Sequence, residues 1–256
     1  MTGILLSEWT KLRSLRSTAF TLLAMAVLAI GLGVLISSGA GAGYPELTQA
    51  ERDAFDPTQV STQSYLAAQL AIGVLGVLVI SSEYATGMIR TSLAAVPRRE
   101  RLLAAKVAVF TVVALVTGLV VGFGAFLLGQ VTLAGTDAPH ATLADAHVPR
   151  AVAGAGLYLA AIGLFGVAVG TLVRSTAGGI TVLVAVTLLV PAFGQGLPGG
   201  WGERLVRWWP TTAGSQVMTV KSDPDLLGPW AGYGVLCVAV AATLAVAFAV
   251  LRARDA

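Results

Sequence analysis

Along this chain, long stretches without a single charged side chain alternate with short charged ones. The uncharged windows cover 17–45, 57–82, 107–136, 151–173, 175–202 and 226–251. A helix crosses the hydrocarbon core of a bilayer in about 20 residues, and every window holds that many. The apolar runs are unbroken rather than alternating, which selects helices over the roughly 10-residue strands of a membrane barrel. The pattern therefore predicts transmembrane helices at 18–37, 64–82, 105–129, 151–173, 177–195 and 229–251. The fold class is an all-α membrane protein with a single transmembrane domain over 1–256.

Composition agrees. Of 256 residues, 56% are hydrophobic and 11% charged, and mean hydropathy is +0.82. A soluble domain carries about 25% charged residues. A net charge of +3 is too small an excess to suggest nucleic acid. The lone cysteine, Cys237, excludes an intrachain disulfide. Lys/Arg asymmetry sets direction. With the N-terminus inside, eleven Lys/Arg residues are cytoplasmic, among them Lys11, Arg90, Arg98, Arg99, Arg101 and Lys106, and five are outside. Both termini are then expected in the cytoplasm. A cleaved signal peptide fits less well, because the first apolar stretch exceeds the usual 7–15 residues.

The segments between spans carry their own patterns. In residues 1–17, Leu5, Trp9 and Leu12 recur at helical spacing with Glu8, Lys11 and Ser14 opposite. This predicts an amphipathic helix on the inner membrane face, serving as a plain anchor or as a docking elbow for a cytoplasmic partner. Residues 83–106 form the only substantial cytoplasmic loop. Gly87 loosens the exit from the second span, and Pro97 ends whatever helix precedes it. Met88, Ile89 and Leu93 offer apolar side chains to water beside four arginines, which points to a protein contact rather than a passive linker. Outside, 196–228 concentrates Trp201, Trp208 and Trp209 with Gly/Pro breaks. It reads as short helices pressed into the outer leaflet, with an ordinary aromatic belt as the alternative.

Several chemistries are absent. Lys11, Lys106 and Lys221 follow Thr10, Ala105 and Val220, so no Gly-Lys phosphate-binding loop exists and the chain is not expected to be an enzyme. The Gly194–Gly199 glycine pattern leaves a membrane helix through a proline and is rejected as a nucleotide site. His140, Asp145 and His147 lack a ligand spacing that fits zinc, so no metal is expected. Ser215 has no membrane-embedded histidine to activate it. The predicted spans hold almost no ionisable group, whereas ion-coupled transport needs carboxylates or imidazoles at depth. Any transport must draw its energy from a partner. The polar groups Gln69, Thr181, Thr187 and Gln195 would suit a path for a lipophilic or amphipathic cargo. Gly118/Gly122 and Gly166/Gly170 permit close helix approach.

Taken together, the chain resembles the membrane permease subunits of type-2 ABC exporters, especially those encoded beside a separate ATPase in high-GC Gram-positive bacteria. The likeness rests on the Glu8-Trp9-Thr10-Lys11-Leu12-Arg13 start, six spans and a re-entrant outer segment before the last. It rests most on Glu83 at a membrane exit, Gly87 four residues on, Pro97 and Lys106. The family often has Thr where this chain has Met88. The resemblance implies a bacterial plasma-membrane protein that pairs with a second permease, as homodimer or heterodimer. Two cytoplasmic ATPase subunits would dock beneath, and they alone would bind ATP and magnesium. A coupling helix within 83–97 would seat in the ATPase through Glu83, Tyr84, Gly87, Met88, Ile89, Arg90 and Pro97, supported by Trp9 and Arg13. Spans two and five would line the path through Tyr65, Gln69, Thr181, Thr187, Phe193 and Gln195. Trp201, Trp208 and Trp209 would form an outer gate. The runner-up reading is a structural or regulatory membrane subunit.

Overall fold

The computed structural model describes residues 2–14, 16–88, 99–194, 196–198, 200–221 and 223–253. Among these the chain is helical throughout its regular structure, with no strand. Helix α1 (Thr2–Ser14) leads into α2 (Arg16–Gly43). Two short helices, α3 (Gln49–Ala54) and α4 (Pro57–Thr62), precede α5 (Tyr65–Ala85). Then come α6 (Arg99–Ala134) and α7 (Val148–Val173). Helix α8 (Thr176–Val184) runs through a π turn, Ala185–Leu189, into α9 (Val190–Gly194). Short helices α10 (Trp201–Trp208) and α11 (Pro210–Ser215) precede α12 (Pro229–Ala253).

Six of these stretches are long and apolar enough to cross a membrane: α2, α4 with α5, α6, α7, α8 with α9, and α12. They match the six predicted windows, and most helices run past the hydrocarbon limits drawn from the sequence. Helix α6 has 36 residues and is about 54 Å long at 1.5 Å per residue, against about 30 Å of hydrocarbon. A helix of this length exceeds what the hydrocarbon needs, which leaves room for its charged first turn, Arg99 to Arg101, outside the apolar layer.

Helix α7 is the axis of the bundle. Of its most apolar stretch 78% is buried, against 17% for α2 and 22% for α12. Glycine makes this possible. A Cβ on Gly76 of α5 would collide with the Gly163 carbonyl oxygen of α7, and one on Gly166 with that of Gly73. On its other side, α7 takes α6 at Gly118 and Gly122, whose added Cβ atoms would lie 2.9 Å from the Gly156 and Val152 carbonyl oxygens. Both glycine pairs singled out in the sequence thus pack helices within the subunit. Backbones this close gain dispersion contacts that lipid cannot replace. Tyr158, Ile72, Leu159, Ile162 and Leu183 fill the remaining core. The outward faces of α2 and α12, with Phe20, Leu23, Leu28, Leu35 and Val238 exposed, present the apolar surface expected against acyl chains.

Successive spans alternate in direction, so one end of the bundle gathers α1, the end of α5, the start of α6, the α7–α8 turn and the end of α12. Arg252 pairs there with Glu100, and Thr176 donates to Ser81 at 2.9 Å. The far end is tied by Gln130, whose amide nitrogen donates to the Pro57 carbonyl (2.8 Å) and the Ser61 hydroxyl (2.9 Å). Its amide oxygen accepts from the Ala141 N–H at 2.7 Å. Lys221 reaches the carbonyls of Asp53 and Phe55.

Candidate functional site

At the α1 end, four charged side chains from three helices meet, three of them out of water. Lys106 Nζ lies 2.7 Å from Glu8 Oε2 and 2.6 Å from Glu83 Oε1. Lys11 Nζ lies 3.0 Å from Glu8 Oε1 and 3.3 Å from Glu83 Oε1. The Lys106, Glu8 and Glu83 side chains are 3%, 5% and 6% exposed, and that of Lys11 is 34% exposed. Two carboxylates and two ammoniums leave no net charge, which is what lets the group be buried at all.

Local sequence explains each position. Glu8 and Lys11 stand three residues apart on α1 and therefore share a face. Glu83 sits in the last turn of α5, where the exposed carbonyls already carry partial negative charge. A carboxylate there has the wrong sign and needs cations beside it. Lys106 is two turns into α6, too close to hydrocarbon to remain unpaired. Burial alone would lower the Lys11 ammonium's pKa, but its hydrogen bond to Glu8 and the Glu83 and Glu8 charges outweigh that and hold it above 10.5.

The cluster has a mechanical consequence. Glu83 and Lys106, on either side of the stretch 84–105, are bonded to each other, which ties the last turn of α5 to the early part of α6. Glu8 adds α1 to the same joint from 98 positions away. The joint therefore ties α1, α5 and α6 to one another. Gly87 turns the chain at this point: with φ +72° it is the left-handed residue that ends α5, its N–H reaching the Tyr84 carbonyl at 3.3 Å. The Arg174 guanidinium stacks 5.2 Å from the Tyr84 ring centroid, which fixes the α7–α8 turn to the same joint.

The sequence singled out Glu83 and Lys106 but not their bond, and placed Glu8 and Lys11 on the polar side of a surface helix. In the structure Glu8 and Lys11 face the bundle, because their charges find partners there, while Leu6, Trp9, Arg13 and Ser14 are exposed. Lys106 itself was the available signal: a lysine opening a span calls for an acidic partner. Tyr84 is half-buried under Arg174, and Met88 is exposed. Ile89, Arg90 and Pro97 lie outside the described residues.

The expected path residues divide. Gln69 is buried and accepts a 2.7 Å hydrogen bond from the Tyr158 hydroxyl. Tyr65 meets the Tyr158 ring edge-on at 5.5 Å. Thr187 is buried and bonded to the Leu183 carbonyl. Thr181 and Phe193 are exposed on the fifth span. Gln195 lies outside the described residues.

Of the three gate tryptophans, Trp201 and Trp208 are exposed and Trp209 is engaged. Its indole N–H donates to the Val186 carbonyl at 2.8 Å. The reason lies in Pro191. In the π turn the Val190 N–H bonds to the Ala185 carbonyl, so the Val186 carbonyl would next take the N–H of residue 191, which proline lacks. Trp209 supplies the missing donor. The segment following it packs deep: a Cβ on Gly154 would lie 2.6 Å from the Val217 carbonyl oxygen, about 9 Å along α7 from its first residue.

Residues 4–190 match the family described as ABC-2 family transporter protein. No curated relative matches the chain. The match takes in α1 from Ile4, the first four spans, the fifth as far as Val190, and all four residues of the buried cluster. The chain, a multi-pass membrane protein with no ATPase domain indicated, is a member of the ABC-2 transporter family.

Proposed function

We propose that this membrane subunit exports a lipophilic or amphipathic compound and is driven by a separate cytoplasmic ATPase docked at the α1 end. The observation that carries the reading is the buried Glu8–Lys11–Glu83–Lys106 joint. It binds both ends of the stretch 84–105 to each other and to α1. An ATPase that moves that stretch would move three helices, one of them the 36-residue α6. With no nucleotide-binding loop in its own sequence, the chain must receive such a push from outside.

On this reading the α1 end is cytoplasmic, Met88 together with 89–97 contacts the ATPase, and two permease copies stand over two ATPase copies. The fifth span offers Thr181 and Phe193 to the seam between copies. Gln69 and Thr187, held inside the bundle, set the shape of the path wall rather than touching cargo. Trp209 holds the outer segment against the fifth span, so the proposed gate and the path wall move as one piece.

The test is co-purification of the tagged chain in mild detergent, followed by ATPase and vesicle-transport assays. A stoichiometric ATPase is expected, and it should be lost when Met88 and Ile89 are replaced by Asp. Lys106→Met should leave ATP hydrolysis but abolish transport. If no ATPase accompanies the chain in several detergents, ATP-driven export fails and a structural or regulatory subunit takes its place.

A further inference from the structure

A cavity of about 490 Å³ lies between α1, α2, α5 and α6. Its volume falls within the roughly 300–1,000 Å³ of sites for drug-sized ligands. None of the residues expected along the path lines it. The deeper wall is apolar, with Leu22, Leu75, Val79 and Phe110. Ser14, Ser82 and Thr86 stand toward the other end, with Ser82 about 10 Å along α5 from Leu75. The wall therefore changes from hydrocarbon-like to hydroxyl-bearing over the length of one elongated molecule.

The polar end selects the head group. Three of the hydroxyls there already donate to carbonyls of the preceding turn: Ser14 to Lys11 at 3.1 Å, Ser82 to Leu78 at 2.6 Å and Thr86 to Ser82 at 2.8 Å. Helical serine and threonine commonly bond back in this way. A hydroxyl whose proton is spent still offers a lone pair, and all three residues are exposed, so those lone pairs are open to a ligand. Glu8, Lys11, Glu83 and Lys106 border the same end, but they pair with one another and their charges cancel. No net charge is left to recruit a charged head group, and desolvating one costs far more than desolvating a neutral one. The end of the cavity therefore suits an uncharged hydrogen-bond donor.

We infer that this cavity binds a neutral amphiphile with a hydroxyl head group, its tail along Leu22, Val79 and Phe110 and its O–H groups donating to Ser82 and Thr86. The inference concerns binding to this chain and does not depend on the transport reading.

Photolabelling tests it on the full-length chain in phosphatidylcholine nanodiscs, whose bulk head groups have no O–H or N–H donor. The probe is a monoalkylglycerol with a diazirine in its tail. Three probes with the same tail are compared with it: its dimethyl ether, which keeps the oxygens but has no donor, a primary amine and a sulfate. The glycerol probe should label peptides containing Leu22, Val79 and Val109 about fivefold more than the dimethyl ether does, the weight of one neutral hydrogen bond, and more than either charged probe. Ser82→Ala with Thr86→Val removes both acceptors with little change of shape, so it should erase the advantage over the ether while tail labelling persists. Val79→Trp, which fills the cavity and leaves the charged joint intact, should remove the label, with the Ser82 and Thr86 double variant decisive if Val79→Trp does not fold. Equal labelling by the glycerol and its ether would mean a groove filled by any tail and overturns the proposal. Stronger labelling by either charged probe overturns it too, as would an advantage that survives the double substitution or labelling unchanged by Val79→Trp.

Discussion

Lys106 Nζ stands within 2.7 Å of carboxylates from two other helices, so its removal strands two buried negative charges. Breaking a buried ion pair from one side costs about 3–5 kcal/mol. Lys106→Met should therefore lower the thermal midpoint of the detergent-solubilised protein, and Glu8→Gln added to it should restore part of the loss. If Lys106→Met melts with the native protein, the joint does not hold the α1 end. Lys11 makes a second, pH-dependent claim. Burial opposes its charge, but the bond to Glu8 and the Glu83 and Glu8 charges prevail and raise its pKa above 10.5. A raised pKa in the folded state means its contribution is complete below about pH 10.5 and is lost as pH climbs through the folded value. Trypsin cleavage at Arg13 should be slow and constant from pH 7 to pH 10, relative to a model peptide, and should accelerate above that. Acceleration already at pH 8 would contradict the Lys11 bonds.

At the scale of elements, the fifth span is held in shape by something outside itself. Its π turn and Pro191 leave the Val186 carbonyl without a backbone donor, and Trp209 fills the place at 2.8 Å. In lipid such a group finds no water. Trp209→Phe keeps an aromatic ring, though a smaller one, and removes the donor, so it should cost at least about 1–3 kcal/mol. Pro191→Ala restores an N–H at the position where the register needs one. In that background Trp209→Phe should cost much less, and a double-mutant cycle on thermal stability measures the difference. Additivity of the two changes would show that Trp209 acts only by packing. The same logic explains why α10 and α11 are short: their task is to bring Trp209 and the Gly214–Met218 backbone against α7, α9 and α12, not to span.

For the molecule as a whole, glycine contacts set how closely the spans approach. Gly166 faces the Gly73 backbone across α5 and α7, whereas Gly234 on α12 has open space where a Cβ would go. Gly166→Ala must push two helices apart and should destabilise by at least the 1–3 kcal/mol usual for overpacking. Gly234→Ala should be neutral or slightly stabilising, since alanine is the better helix former. Comparable melting of the two variants would mean that α5 and α7 are not in contact. Six spans were legible in the sequence because hydropathy is summed along the chain and needs no knowledge of neighbours. The joint was legible only in part. Glu83 and Lys106 mark the two edges of one loop, but Glu8, 98 residues before Lys106, shares no local pattern with it. Met88 and its successors showed as apolar residues in a basic loop, and most of that segment lies outside the described residues.

What the sequence determined by itself was the solvent and the class: apolar runs of bilayer length, helices rather than strands, and no loop for binding nucleotide. These follow from transfer free energies and from the need to satisfy every backbone group within the membrane. Only the tertiary structure decided which face of each helix looks inward. The spans are apolar nearly all round, so periodicity carries little information on azimuth, and lipid accepts any apolar face equally. Azimuth is instead chosen where contact is closest or charge is buried, at Gly76 against Gly163, at Gln69 against Tyr158 and at Lys106 between Glu8 and Glu83. Each of these depends on two or three segments arriving together, which no single stretch of the chain encodes.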